Sequence, residues 1–317
     1  MRVMRIVAVL AAVIAAGAVI VVAVRHDKSV ASDPPVSSVP PPVALPSKPG
    51  TYLGVYASQV PESYTGVAAF TTATGVKPDL VAFYSGWLEG FPASFAAKAA
   101  REDAVPLVQI QPTRVALAKI AAGRYDSYLT SYAEAVRAYG RPVVMSFAHE
   151  MNGSWYSWGY RHTSPRTFIA AWRQIVTVFR AVGADNVTWL WTVNIVDGNG
   201  RGRIPDPARW WPGSSYVNWV GIDGYYFQPS WQFAPLFGPT ISDVRSVTSD
   251  PILIAETAAS PTATQAAKIA ELFAGVRTYR LLGFVWFDSI GSRDWRLNTR
   301  GAAAMRKDSR SYKNPLP

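Results

Sequence analysis

Residues 142–159 read PVVMSFAHEMNGSWYSWG. The first part of this stretch is a short apolar run rich in β-branched residues, which predicts a buried β-strand. The run ends at His149 and Glu150, and a loop rich in aromatic residues follows. In a parallel barrel the catalytic side chains come from the C-terminal ends of the strands. The stretch therefore predicts a barrel strand that delivers a carboxylate to an active site.

Apolar runs of this kind recur along the chain and alternate with amphipathic helical stretches, of which residues 165–182 are the clearest. This order predicts an α/β fold, a (β/α)8 TIM barrel. A doubly wound open sheet is the alternative, but that fold would require a glycine-rich phosphate loop after its first strand. No such loop follows residues 52–57 in the sequence. The predicted strands are residues 52–57, 80–85, 106–111, 143–148, 187–193, 219–224, 252–255 and 284–287.

The N-terminal part of the chain differs in composition from the predicted barrel. Residues 6–24 are uncharged and apolar, and their length is closer to a membrane-spanning helix than to the core of a signal peptide. We expect residues 1–28 to be a signal anchor or signal peptide, residues 29–49 a proline-rich linker, and residues 50–317 the catalytic domain. The barrel would then lie outside the cytoplasm, anchored to the cell membrane or secreted.

Composition narrows the classes of function. Apolar residues make up 49% of the chain and charged residues 16%, which allows a large buried core. The net charge is +10, but the basic residues are scattered and are not interleaved with aromatic ones, so nucleic-acid binding is not expected. The chain has no cysteine, and a His-Glu-x-x-His zinc motif would need histidine where Gly153 stands. We expect a monomer without metal or cofactor.

A second apolar run, residues 252–255, ends in Glu256 in the same way as the first ends in Glu150. Two carboxylates among aromatic residues indicate glycoside hydrolysis, and a retaining enzyme needs them about 5–5.5 Å apart. The fourth and seventh strands of an eight-stranded barrel face each other across its mouth. The pattern therefore predicts Glu150 as general acid/base and Glu256 as nucleophile.

Polar and aromatic residues gather at the other predicted strand ends as well. An indole ring placed there can stack on the apolar face of a sugar, whereas Trp172, Trp189 and Trp219 fall within elements and are expected in the core. The strand-end and loop residues expected to contact substrate are His149, Asn152, Trp155, Trp158, Asn194, Asp223, Tyr225 and Trp286. Trp87, Gln111 and Asp288 also fall at strand ends.

The motif His-Glu-Met-Asn-Gly-x-Trp, residues 149–155, resembles the acid/base strand of glycoside hydrolase family 26, best known for endo-β-1,4-mannanases. Gly-Arg-Tyr-Asp at residues 123–126 and Trp158-Gly159 are also similar to that family. The resemblance implies a (β/α)8 barrel and retaining chemistry, with the acid/base role on Glu150 and the nucleophile role on Glu256. It also implies substrate contacts from His149, Trp155, Asp223, Tyr225 and Trp286.

One position departs from the family pattern. Members usually carry arginine four residues before the acid/base glutamate, and this chain has Ser146. The expected function is that of a retaining, endo-acting glycoside hydrolase that cleaves a β-linked polysaccharide, β-1,4-mannan above all. The alternatives are a β-1,3-1,4-glucanase or β-xylanase of the same family, or a non-catalytic carbohydrate-binding barrel in exopolysaccharide processing.

Overall fold

A computed structural model describes residues 45–197, 202 and 204–312 of the chain. These described residues belong to one compact unit. The predicted anchor or signal segment, residues 1–28, and all but the last five residues of the predicted linker, residues 29–49, lie outside the described residues, so both stay predictions. Within the described part of the chain, no helix is both long enough and apolar enough to cross a membrane.

Eight parallel strands close into a barrel in chain order. The strands are β1 (Tyr52–Ala57), β2 (Leu80–Gly86), β3 (Val105–Gln111), β4 (Val143–Phe147), β5 (Val187–Asn194), β6 (Trp219–Asp223), β7 (Ile252–Thr257) and β8 (Gly283–Asp288). The α-helices are α1 (Thr65–Thr74), α2 (Ala93–Arg101), α3 (Leu117–Ala121), α4 (Asp126–Tyr139), α5 (Pro165–Val182), α6 (Phe233–Arg245), α7 (Gln265–Thr278) and α8 (Thr299–Tyr312).

This architecture confirms the predicted barrel and excludes the open sheet. All eight predicted strands are present, because continuous apolar runs of this length suit strands that are buried on both faces. Helix α5 has the bounds that its periodicity predicts. Its start also follows the sequence, since the Ser164 hydroxyl accepts a hydrogen bond from the Thr167 backbone N–H at 3.2 Å and Pro165 occupies the first turn.

Strand residues alternate between two separate cores. Odd and even positions of a strand point to opposite faces, so one set fills the barrel interior and the other packs against the helices. Trp172 and Trp189 belong to the outer core and Trp219 to the inner one, as expected. Leu80, Leu107, Val144, Leu190 and Leu253 are among the side chains that fill the interior.

The same alternation decides which side chains reach the barrel mouth. Ala82 lies in the interior core, so Tyr84, two residues further along β2, is on the same face and nearer the C-terminal end. Val285 and Phe287 are related in the same way on β8. The fold therefore places aromatic side chains at the mouth, directly above the apolar side chains that fill the barrel interior.

Gly283 closes the barrel between β8 and β1. It pairs with Tyr52, and a Cβ atom built on it would lie 1.7 Å from the Tyr52 carbonyl oxygen, at a φ of +152° that other residues rarely adopt. We expect Gly283→Ala to lower the free energy of unfolding by about 3 kcal/mol or more, measured by urea denaturation. Gly90→Ala, where the added methyl meets nothing within 4 Å, should stay within about 0.5 kcal/mol of the parent. Equal effects of the two substitutions would contradict this account of barrel closure.

Candidate active site

A cleft of about 340 Å³ lies at the C-terminal ends of the strands. Glu150 and Glu256, the two carboxylates singled out from the sequence, both line it, so the structure brings them together in one site. Gln111 lines it as well. The aromatic side chains of the wall are those of Tyr84, Trp155, Tyr156, Tyr225, Phe227, Phe287 and Trp295.

Glu150 stands just past β4, where the backbone leaves the strand conformation. Ala148 and Glu150 have φ values of 49° and 55°, in the left-handed region that non-glycine residues rarely occupy. The Glu150 backbone N–H still donates to the Thr192 carbonyl at 2.9 Å, which ties it to β5. Its carboxylate accepts hydrogen bonds from Asn194 Nδ2 at 2.5 Å and from Trp155 Nε1 at 2.6 Å. Strained backbone and two donors thus hold this side chain at the mouth.

Asn152 and Gly153 of the motif help to position Trp155. A Cβ atom on Gly153 would lie 2.3 Å from the Trp155 indole, so only glycine lets the ring fold back to reach Glu150. The buried Asn152 side chain exchanges two hydrogen bonds with the backbone of Asn194, at 2.8 and 2.9 Å. Asn152 therefore fixes the loop to β5 and does not reach the cleft, contrary to the substrate contact expected for it.

Glu256 is brought to the mouth by an irregularity in β7. Ala255 already faces the interior core, so strict alternation would turn Glu256 outward. The register of β7 against β8 shifts between Ile254 and Thr257, as a β-bulge does, and Glu256 lines the cleft. Tyr225 donates a hydrogen bond to Oε1 and Tyr84 donates one to Oε2. Burial raises the pKa of Glu256, and the hydrogen bonds from Tyr225 and Tyr84 oppose that rise.

Asp223, on β6, is a third carboxyl group next to these two. It lies in register with Asn194 and Glu256, is fully buried, and neither of its oxygens has a hydrogen-bond partner among the described residues. Burial, then the charge of Glu256, then that of Glu150 raise its pKa well above the ordinary value of 3.8. The neutral acid is therefore the favoured form of Asp223 in the folded protein.

His149 lies beneath the cleft wall and is also neutral. Its Nε2 is 3.2 Å from the Tyr156 hydroxyl. Burial lowers the pKa of the imidazole to about 3, so the ring carries no charge near neutral pH. His149 is 2% exposed and is not among the residues that line the cleft, so it reaches the site through Tyr156.

Two of the three tryptophans expected to stack on sugar are in the core. Trp286 is fully buried against the helices because its neighbours Val285 and Phe287 take the inward positions of β8. Trp158 is 2% exposed, donates to the His149 carbonyl at 2.8 Å and stacks on Tyr156 at 4.3 Å. The stacking predicted for Trp158 and Trp286 is thus wrong, and Trp155 alone of the three lines the cleft.

Other aromatic residues line the cleft in place of Trp158 and Trp286. Tyr84 and Phe287 could have been found by extending the inward alternation of their strands. Phe227 and Trp295 lie in loops after β6 and β8, where no periodic signal exists. Trp295 packs its ring 4.7 Å from that of Tyr225 and 5.2 Å from that of Phe227, and so completes one wall of the cleft.

Comparison with known proteins finds similarity to glycoside hydrolases. A family model described as "Glycosyl hydrolase family 26" matches residues 113–242, which include Glu150 and Asp223. This match confirms the resemblance to glycoside hydrolase family 26 that the sequence motif indicates. Endoglucanase H of Acetivibrio thermocellus is 31% identical over 267 residues, which are 79% of this chain and 29% of that protein. A β-1,3-xylanase from a Vibrio species is 26% identical over 182 residues, 54% of this chain and 37% of that protein.

Solved structures of mannanases share the fold. A modular endo-β-1,4-mannanase from Cellulomonas fimi superposes with a TM-score of 0.64 at 18% identity, over 84% of this chain and 72% of that one. A family 26 β-mannanase from Bacteroides ovatus gives 0.63 at 16% identity, over 83% and 89%. The chain spans about a third of the length of the two sequence relatives above.

The neutral state of Asp223 predicts a pH-dependent effect on stability. Its proton is held more tightly in the folded than in the unfolded protein, so stability falls as pH rises above 3.8 toward the folded-state pKa. Asp223→Asn removes this dependence. Between pH 4 and 7 we expect the variant to gain up to about 1.4 kcal/mol per pH unit relative to the parent, measured by urea denaturation.

The exposed Asp185 supplies the matched control. Asp185→Asn makes the same substitution at the protein surface, and the pH-dependent gain in stability expected for Asp223→Asn should exceed its effect. If the curves of Asp223→Asn and the parent ran parallel, Asp223 would be ionised in the folded protein.

Proposed function

We propose that this protein is a retaining, endo-acting glycoside hydrolase that cleaves a β-linked polysaccharide. The observation that carries the proposal is the meeting of Glu150 and Glu256 in one aromatic-walled cleft at the C-terminal mouth of a barrel. The match of residues 113–242 to the family 26 model supports a glycosidase reaction. The open cleft, about 340 Å³ in volume, suits one or two sugar rings of a longer chain.

In this mechanism a Glu256 oxygen attacks the anomeric carbon while Glu150 donates a proton to the departing glycosidic oxygen. The first step leaves a glycosyl ester on Glu256 and an ionised Glu150. Glu150 then removes a proton from a water molecule, and the hydroxyl attacks the same carbon and releases Glu256. The donors Trp155 Nε1 and Asn194 Nδ2 would stabilise Glu150 when it is ionised between the steps.

The substrate is proposed from the relatives, since the cleft itself does not name a sugar. The match to an endoglucanase covers 79% of the chain, whereas the match to a curated mannanase covers 28%. We therefore place β-glucan first, a change from the mannan expected on sequence resemblance. Xylan is second, on the 54% match to a β-1,3-xylanase, and β-mannan is third. A panel of these glycans with sizing of the products would identify the substrate and test endo action.

Removal of either carboxylate should abolish hydrolysis while the fold remains. We expect Glu150→Ala and Glu256→Ala each to lower kcat/KM on a responsive glycan by at least about 10³-fold. Azide can enter the space left by either side chain. With Glu256→Ala it should yield the glycosyl azide of inverted configuration, and with Glu150→Ala the azide of retained configuration, as distinguished by NMR.

Glu134→Gln, at an exposed position of α4, is the matched control and should keep the parent activity. Substantial activity of either alanine variant without azide would contradict the assigned roles. So would azide products of the opposite configuration.

The two-step mechanism also predicts the stereochemistry of the natural reaction. The sugar released first should have the same anomeric configuration as the bond that was cut, because two inversions restore it. Proton NMR of the earliest product, before mutarotation, provides the measurement. Release of the opposite anomer would mean that water attacks directly, and Glu256 would then be a general base.

A further inference from the structure

Glu256 is held by two phenols and by no basic side chain. Tyr225 donates to one carboxylate oxygen and Tyr84 to the other. No lysine or arginine of the described residues forms an ion pair with Glu256. The charge of Glu256 raises the pKa of Asp223, so an ionised Asp223 would repel the charge of Glu256. The negative charge of Glu256 is therefore stabilised by neutral donors.

The two tyrosines come from different parts of the barrel. Tyr225 follows β6, beside β7, and its ring is packed among Trp295, Phe287 and Phe227 at 4.7, 6.0 and 6.1 Å. Tyr84 belongs to β2, three strands away from β7 in the closed order β7-β8-β1-β2. Its ring lies 5.3 Å from that of Tyr56 and 5.6 Å from the neutral imidazole of His149. Tyr84 thus reaches Glu256 from across the mouth.

We propose that Tyr84 is a positioning residue for the reaction, which fixes the second oxygen of Glu256 and stabilises the ionised form of that carboxylate, with which no lysine or arginine of the described residues pairs. This role deepens the proposed function, because it rests on Glu256 as nucleophile. It adds a residue from β2 to a site whose two carboxylates come from the ends of β4 and β7.

Both phenols are suited to act as permanent donors. Burial, then the charge of Glu256, raises the pKa of Tyr84 and of Tyr225 well above the ordinary value of 10. Neither hydroxyl ionises in the working pH range, so each keeps its hydrogen on the carboxylate. A hydrogen bond that favours the charged form lowers the pKa of the acceptor. Loss of the Tyr84 donor should therefore raise the pKa of Glu256.

The test measures the titration of Glu256 directly. The chain has seven glutamates, so glutamate labelled with ¹³C at the carboxyl carbon gives a short set of NMR signals, and Glu256→Gln removes the one to be followed. In Tyr84→Phe we expect the midpoint of the Glu256 signal to move up by about one pH unit. On a glycan that the parent protein cleaves, the pKa of the acid limb in the pH profile of kcat/KM should rise by the same amount.

Tyr56→Phe is the matched control, because Tyr56 packs on Tyr84 but makes no hydrogen bond to Glu256. Its Glu256 midpoint should equal that of the parent. Tyr225→Phe should raise the midpoint as Tyr84→Phe does, which provides a second variant if Tyr84→Phe is poorly folded. A Glu256 midpoint that is unchanged in a folded Tyr84→Phe protein would overturn the proposal.

The titration also separates this inference from the proposed function. If no glycan is cleaved but the midpoint shifts, Tyr84 stabilises the Glu256 charge and the hydrolase assignment is at fault. If glycans are cleaved and Tyr84→Phe loses activity with no shift of midpoint or acid limb, Tyr84 has a packing role only. The two failures therefore give different results.

Discussion

The hydrogen bonds from Tyr84 and Tyr225 to Glu256 are the interactions on which the rest of the site depends. A carboxylate above a packed apolar barrel loses most of its hydration, and an unpaired buried charge is costly. Two phenols replace that hydration without adding charge. Because Asp223 lies beside Glu256 and has no hydrogen-bond partner within the described part of the chain, a second ionised carboxylate there would be unfavourable. Of these two carboxyl groups, the site therefore favours the charge on Glu256, which has the two donors, over a charge on Asp223.

The layers of the barrel interior explain where this chemistry can occur. Large aliphatic side chains such as Leu107 and Leu253 fill the lower part and exclude water. Above them, the Ser146 and Thr192 hydroxyls pair with each other at 2.9 Å, so these two buried polar groups are satisfied locally. Ser146, the departure from the family pattern, thus has a partner within the barrel. The groups left to face the cleft are those at the uppermost layer, where substrate and solvent can reach them.

Sequence patterns predicted the barrel well because buried parallel strands appear as short apolar runs, which are local features of the sequence. Eight apolar runs with helices between them leave few other arrangements, and the alternation of inner and outer residues is regular over most of each strand. The same alternation explains the error at Trp286, which is one residue away from the inward position held by Phe287. Loop residues such as Trp295 could not be placed, since their position depends on tertiary packing alone.

Both proposed catalytic carboxylates stand where the regular pattern is broken. At β4 the break is a pair of left-handed residues, Ala148 and Glu150, and at β7 it is the register shift that follows Ile254. A regular strand would have continued its alternation and turned Glu256, next to the inward Ala255, away from the mouth. Such irregularities cost free energy and persist only where surrounding contacts hold them. Here those contacts are the hydrogen bonds to the two carboxylates from Asn194, Trp155, Tyr84 and Tyr225. The donors that stabilise the charge of the carboxylates therefore also hold the backbone that carries them.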